Sequence, residues 1–364
     1  MQVLLIEPYY GGSHRAWADG YKNHSAHDVI LLTLPAQFWK WRMQGGAISL
    51  SRMIQEQQIQ PDIILASGMM NVATFKALTA EYLGNIPIAT YFHETQLTYP
   101  QNRRQRHGWR YGFINYVSML ASDWSFFNSL YHRNIFLKTA PNMLKHFGDY
   151  NELSSIDHVR QTSSVLPLGL DLSRFDVFKP TQPPSQTKTP LIIWNHRWEA
   201  DKNPSVFFKT LYKLADDGIA FEVAITGENF RQVPEEFEQA RKMLGKRVVQ
   251  FGYLPSFDDY AQLLWEADYV ISTSYQDFFG GSIAEAIYCQ CTPLLPKRVN
   301  YPNLIPADAQ DTCLFKGNSL HPKLEHHLTN ELKVDTQRLR EYVSQFDWQI
   351  LAPHYDAELE RLLR

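Results

Sequence analysis

Short, mostly aliphatic runs that alternate with longer stretches of helical pattern constrain this chain more than any other feature. Val3 to Ile6, Val29 to Leu34, Ile63 to Ala66 and Ile88 to Phe92 are such runs, and stretches such as Gly46 to Gln58 and Asn71 to Leu83 lie between them. A strand covered on both faces reads as a near-continuous apolar run, and parallel neighbours need a long crossover, for which a helix is the usual solution. The pattern predicts an open parallel sheet flanked by helices.

The alternation stops at Lys179 to Pro190, which holds four prolines and no aliphatic side chain, and then begins again. Leu191 to Trp194, Phe221 to Thr226, Val248 to Phe251 and Tyr269 to Ser272 read as strands; Asn203 to Asp216, Glu235 to Leu244 and Phe257 to Glu266 read as helices. At 364 residues the chain is too long for one ordinary core. We therefore expect two doubly wound α/β domains, residues 1–178 and 191–346, joined by a linker at 179–190. Residues 347–364, with an apolar stripe through Ile350, Leu351, Tyr355, Leu359, Leu362 and Leu363, read as a closing helix that packs across the domains. Ligands of such sheets gather at the carboxyl ends of the strands, so two of these domains facing across a cleft would put the chemistry there.

Composition removes several classes. Apolar residues at 44% and charged residues at 20% exclude wholesale disorder, and a net charge of −3 means that a nucleic-acid partner would need a local basic patch. Cys289, Cys291 and Cys313 form neither an even disulfide set nor a metal-type spacing, which suits a reducing cytoplasm. No apolar run is long enough to span a membrane, and no signal peptide is visible, so no membrane partner is expected.

Five motifs carry candidate chemistry. Gly11, Gly12 and Ser13 follow the first strand, where backbone N–H groups could meet an anion at a helix start, although a plain tight turn explains the glycines equally well. After the first strand of the second half, Asn195 precedes Arg197 and Lys202, two cations suited to a diphosphate unless they are merely solvated. Asp277 and Glu285 bracket Phe279, Gly280, Gly281 and Ser282 at a further helix start, which favours an anion flanked by sugar hydroxyls over a merely capped helix. His93 and Glu94 end the fourth strand, with His93 touching the reacting sugar or acceptor and Glu94 orienting it or acting as base, or both serving structure alone. Arg103, Arg104, Arg106 and Arg110, followed by aromatics, suit an RNA backbone with stacked bases, and equally an exposed helix start.

The Gly11-Gly12-Ser13 loop, the Arg197 and Lys202 pair, the run from Asp277 to Glu285, and Pro167-Leu168-Gly169-Leu170-Asp171 with Phe175 resemble the retaining GT-B glycosyltransferases of the glycosyltransferase-4 type. Glu7-Pro8-Tyr9-Tyr10-Gly11-Gly12-Ser13-His14, Phe92-His93-Glu94-Thr95-Gln96 and Trp194-Asn195-His196-Arg197-Trp198-Glu199 more narrowly resemble the tRNA-queuosine mannosyltransferase family. That resemblance implies a GT-B fold and transfer of mannose from GDP-mannose to queuosine in a tRNA anticodon loop. It implies Arg197 and Lys202 on the diphosphate, Glu285 on the ribose, Asp277 on the sugar, and Tyr253 and Leu254 beside the base. No cofactor or metal is implied beyond the nucleotide-sugar donor. The alternatives are transfer to a lipid, small-molecule or protein acceptor, a catalytically silent nucleotide-sugar or RNA-binding protein, or an epimerase or hydrolase of this architecture.

Overall fold

The structure is a computed structural model that describes residues 1–98, 107–181, 188–228, 233–330 and 334–364. Arg103, Arg104 and Arg106, and residues 182–187 of the proline-rich stretch, lie outside the described residues. The chain divides into two compact units, one of Met1–Leu170 with Phe346–Arg364 and the other of Asp171–Gln345.

The first unit runs β1 (Gln2–Tyr10), α1 (Gly12–His24), β2 (Asp28–Pro35), α2 (Trp39–Glu56), β3 (Ile63–Ser67), α3 (Val72–Leu83), β4 (Ile88–Phe92), α4 (His107–Ala121), β5 (Trp124–Phe127), α5 (Leu130–Leu144), α6 (Ser155–Gln161) and β6 (Ser163–Val165). Its strands form one parallel sheet in the order β2-β1-β3-β4-β5-β6. Val3 to Ile6 are fully buried at the centre, as a strand covered on both faces must be. Met43, Ala47, Leu50 and Ile54 recur on one face of α2, which is the spacing that lays a helix on a sheet. That helix starts at Trp39 instead of Gly46, and Gly45 sits inside it against the Trp41 ring, where a side chain would lie 2.5 Å from ring carbon.

The second unit runs β7 (Leu191–Asn195), α7 (Pro204–Asp216), β8 (Glu222–Thr226), α8 (Glu235–Leu244), β9 (Val248–Phe251), α9 (Phe257–Glu266), β10 (Tyr269–Ile271), α10 (Gly281–Tyr288), β11 (Thr292–Pro296), α11 (Gln310–Cys313), β12 (Leu314–Phe315), α12 (Leu320–Thr329) and α13 (Thr336–Ser344). Its parallel order is β12-β11-β10-β7-β8-β9, the dinucleotide-binding arrangement, in which the winding reverses between β7 and β10. Trp194, Phe207, Phe208 and Phe237 pack against one another in its core beside Leu211, Val223 and Ile225.

The last helix, α14 (Trp348–Arg361), packs within the first unit. Leu170 and Trp348 exchange backbone hydrogen bonds with Phe346 and Leu170, and Tyr355 Oη donates to the Pro167 carbonyl. On α1, Tyr21 Oη donates to Asp356 at 2.8 Å. Gly20 of α1 meets the Trp348 indole so closely that any Cβ there would collide with it. Phe175 lies in the second unit, edge-on to Phe257 at 4.9 Å.

Candidate functional site

In the second unit the winding reverses where Asn195 ends β7. Asn195 Nδ2 donates to the Ser282 carbonyl at 2.8 Å and to Tyr260 Oη at 3.2 Å, and Tyr260 Oη donates to Glu285 Oε2 at 2.9 Å. One asparagine thus ties the end of the strand to the first turn of α10 and to its carboxylate. Beside it lies a pocket of 290 Å³ lined by Asn195, Thr226, Gly227, Tyr253, Leu254 and Tyr260, among others. Among the described residues, Asn195 Oδ1 and Thr226 Oγ1 are buried there without a hydrogen-bond partner. A buried acceptor or hydroxyl left unpaired is costly, and a polar ligand in this pocket could pair both. Gly227, at φ +131°, lies so close to the His196 carbonyl that a Cβ would stand 1.8 Å from its oxygen. Glycine is what lets β8 turn under the pocket.

The first turn of α10 faces the same region. Gly280 has φ +96°, the left-handed region that favours glycine, and a Cβ there would meet Leu304 and Tyr301 at 3.0 and 3.2 Å. Gly280 at the N-cap has no side chain with which to cap this helix, and Asn300 Nδ2 holds the Phe279 carbonyl at 2.8 Å, fixing the loop that leads into it. The N–H groups of the first turn have no partner within the helix and carry its positive end. Asp277, at the loop's entrance, accepts a hydrogen bond from Tyr301 Oη at 3.0 Å. Burial pushes the Glu285 carboxyl up to about 7, a rise that the Tyr260 hydrogen bond opposes.

Lys202 is buried in the turn after β7, where its Nζ donates to the Gln276 carbonyl at 2.7 Å and lies 3.3 Å from Asp201. An ammonium has three donors, so this anchorage fixes the charge without exhausting it. Arg197 is exposed and pairs with Glu199 at 3.3 Å. Beneath them His196 is buried, and its imidazole is held well below its usual range by burial and by the Lys202 and Arg197 charges.

In the first unit, His93 follows β4, and its Nε2 lies 3.9 Å from the carboxylate of Glu7 on β1. Glu7 is fully buried; it accepts from the Tyr9 N–H and from His14 Nδ1, both near 2.9 Å. The His14 and His93 rings lie 4.2 Å apart, and Trp17 packs edge-on to His93. Burial, followed by His14 and His132, holds the His93 imidazole well below its usual range, which favours the neutral ring. Its Nε2 has no hydrogen-bond partner among the described residues. The donor atoms of Glu7, His14 and His93 all lie within 4.8 Å of one another, near enough to hold a metal ion. Glu94 accepts from Gln96 Nε2 at 2.6 Å.

Gly11 caps α1, with Gly12 and Ser13 exposed in its first turn. Arg110 lies on α4, where it donates to Gln44. Reasoning from the sequence did not single out Thr226, Tyr260, Tyr301 or the pairing of Glu7 with His14. Tyr260 and Tyr301 sit in ordinary helical and loop contexts that carry no signal; the buried Glu7 was legible only as a carboxylate interrupting an apolar run.

Residues 2–170 match the family described as tRNA-queuosine alpha-mannosyltransferase N-terminal. A tRNA-queuosine alpha-mannosyltransferase of Drosophila melanogaster is 33% identical over 331 residues, which is 88% of this chain and 85% of the fly protein. Among solved structures, the catalytic domain of starch synthase IV from Arabidopsis thaliana, bound to ADP and acarbose, superposes with a TM-score of 0.72 at 13% identity, covering 100% of this chain and 99% of that one. HepE of Anabaena in complex with UDP gives 0.70 at 15% identity, covering 99% and 100%. At such identities the likeness is one of fold, and that fold is the GT-B glycosyltransferase fold.

Proposed function

Because the chain belongs to the tRNA-queuosine alpha-mannosyltransferase family, we propose that it is a retaining glycosyltransferase that moves a hexose, mannose from GDP-mannose, onto queuosine in the anticodon loop of tRNA. One observation carries the donor half of this reading. The 290 Å³ pocket, with two unpaired buried oxygens, adjoins an uncapped helix start through Asn195. A base in the pocket beside Tyr253 and Leu254 would satisfy those oxygens, and the diphosphate would then fall to the N–H groups of Gly281 and Ser282 and to Arg197 and Lys202. Glu285, held by Tyr260, would accept from the ribose hydroxyls, and Asp277 from those of the sugar.

In this mechanism the protein stabilises the charge that grows on the departing diphosphate as the glycosidic bond breaks. Fixed cations and helix-end dipoles do this without reorganising, which is why such arrangements are worth several powers of ten in rate. No metal is needed for the phosphates. His93, neutral and with a free ring nitrogen, suits hydrogen bonding to a sugar hydroxyl better than carrying a charge. The buried Glu7 and His14 hold its ring in place. The acceptor attacks on the face that the diphosphate leaves, and the departing phosphate takes its proton. Among the described residues no helix is long and apolar enough to cross a membrane.

The test is to incubate the pure protein with a panel of nucleotide sugars and queuosine-containing tRNA, then weigh the digested nucleosides. Queuosine heavier by one hexose, with GDP-mannose the preferred donor, is the expected result. Sugar appearing only on water, lipid or protein would overturn the reading.

A further inference from the structure

We infer that a pocket of 470 Å³ on the first unit, lined from α2, α4, α5 and the cap of α3, receives an unstacked base from a single-stranded loop of the RNA acceptor. The inference rests on the RNA acceptor proposed above and adds where that RNA is gripped. Trp109 and Phe113 of α4 and Phe147, just beyond α5, line the pocket. Phe113 and Phe147 are 41% and 50% exposed with ring centroids 6.0 Å apart, so apolar faces that folding normally buries stand open to a ligand. The volume falls in the range of about 300–1,000 Å³ typical of small-ligand pockets.

The polar lining and the charge identify the occupant. Arg110 and Gln44, hydrogen-bonded to each other, and Asn71 line the same pocket. Asn71 is fixed because its Oδ1 caps α3 by accepting from the Thr74 N–H, and its amide NH₂ remains a donor. A guanidinium with amide groups beside aromatic faces is the combination that stacks a base and hydrogen-bonds its edge. From Thr95 to Gly148 the sequence carries seven Lys and Arg against one acidic residue, Asp123, in a chain of net charge −3. The Asp123 carboxylate is already engaged, accepting from the Ile88 N–H at 2.8 Å. Neither α4 nor α5 contains an acidic residue. A lipid chain would need no such charge, whereas a polyanion with exposed bases does.

The experiment compares wild type with the Phe113→Ala/Phe147→Ala double variant in binding a queuosine-containing anticodon stem-loop RNA, measured by fluorescence anisotropy at fixed salt. Losing base stacking should weaken binding by about 5- to 100-fold. GDP binding and the melting temperature should not change, and Phe147→Tyr should retain affinity. The same RNA closed into a continuous duplex should bind both proteins equally, because its bases are no longer available. If wild type binds and glycosylates the stem-loop and the double variant matches it, the pocket assignment falls alone. If wild type does not bind the stem-loop, the RNA reading of the whole protein falls with it. A double variant that loses self-association but keeps RNA affinity overturns the assignment in favour of an interface between copies.

Discussion

Replacing Glu285 by glutamine should stabilise the protein, and by an amount that grows with pH. The Glu285 carboxyl, ordinarily near 4.5, is pushed up to about 7 by burial. Below pH 4.5 it is protonated in both the folded and the unfolded chain and contributes nothing to pH dependence. Between 4.5 and 7 the unfolded chain releases its proton while the fold retains it, so stability falls as pH rises; above about 7 the loss is complete. At 1.36 kcal/mol per pKa unit the full penalty is about 3 kcal/mol, most of it acquired between about pH 5 and pH 7. Glutamine keeps an oxygen for the Tyr260 hydroxyl and carries no charge to desolvate. Thermal unfolding followed by calorimetry should therefore show the melting gap between variant and wild type widening by about 5–10 °C over that range. A gap that stays the same at both pH values would refute the argument that burial, and not the Tyr260 contact, governs this carboxyl. Nucleotide affinity should move the other way, tightening for wild type as the carboxylate forms and staying flat for the variant.

Arg197→Ala and Lys202→Ala should each lower transfer by about 10²-fold in steady-state assays, because each removes a fixed charge from the leaving diphosphate; normal turnover in both would remove them from the mechanism. Gly280→Ala should lower the melting temperature and weaken nucleotide binding, since φ is +96° and the new methyl would lie 3.0 Å from Leu304. Isothermal titration with GDP reads this directly, and unchanged affinity would show that the first turn of α10 does not meet the phosphates. Dialysis against EDTA should leave turnover intact. Activity lost with EDTA and restored by zinc, but not in Glu7→Gln, would instead put a metal ion at Glu7, His14 and His93.

Much of the fold was legible because the apolar positions that strands and helices turn toward a core recur at spacings set by each element's own geometry. Ile88 to Phe92, Glu235 to Leu244, Val248 to Phe251 and Phe257 to Glu266 carry the same bounds in sequence pattern and in structure. Strands without an apolar run stayed hidden. β6 is Ser-Ser-Val, β12 is two residues long, and β11 contains two prolines, which ordinarily argue against a strand inside a sheet. The glycine and carboxylate spacing from Asp277 to Glu285 located a helix start because both ends of that motif lie within nine residues of chain.

The sequence by itself determined the two α/β halves, the helix start at Gly281 and the family, all of which are properties of contiguous residues. Only the tertiary structure decided which distant side chains meet. Glu7 and His93 are 86 positions apart and face one another because β1 and β4 belong to the same sheet, with β3 between them. Asn195, Thr226, Tyr253 and Tyr260 line one pocket because the winding reverses beside β7. Strand order is fixed by packing the whole chain at once, and no local pattern encodes it.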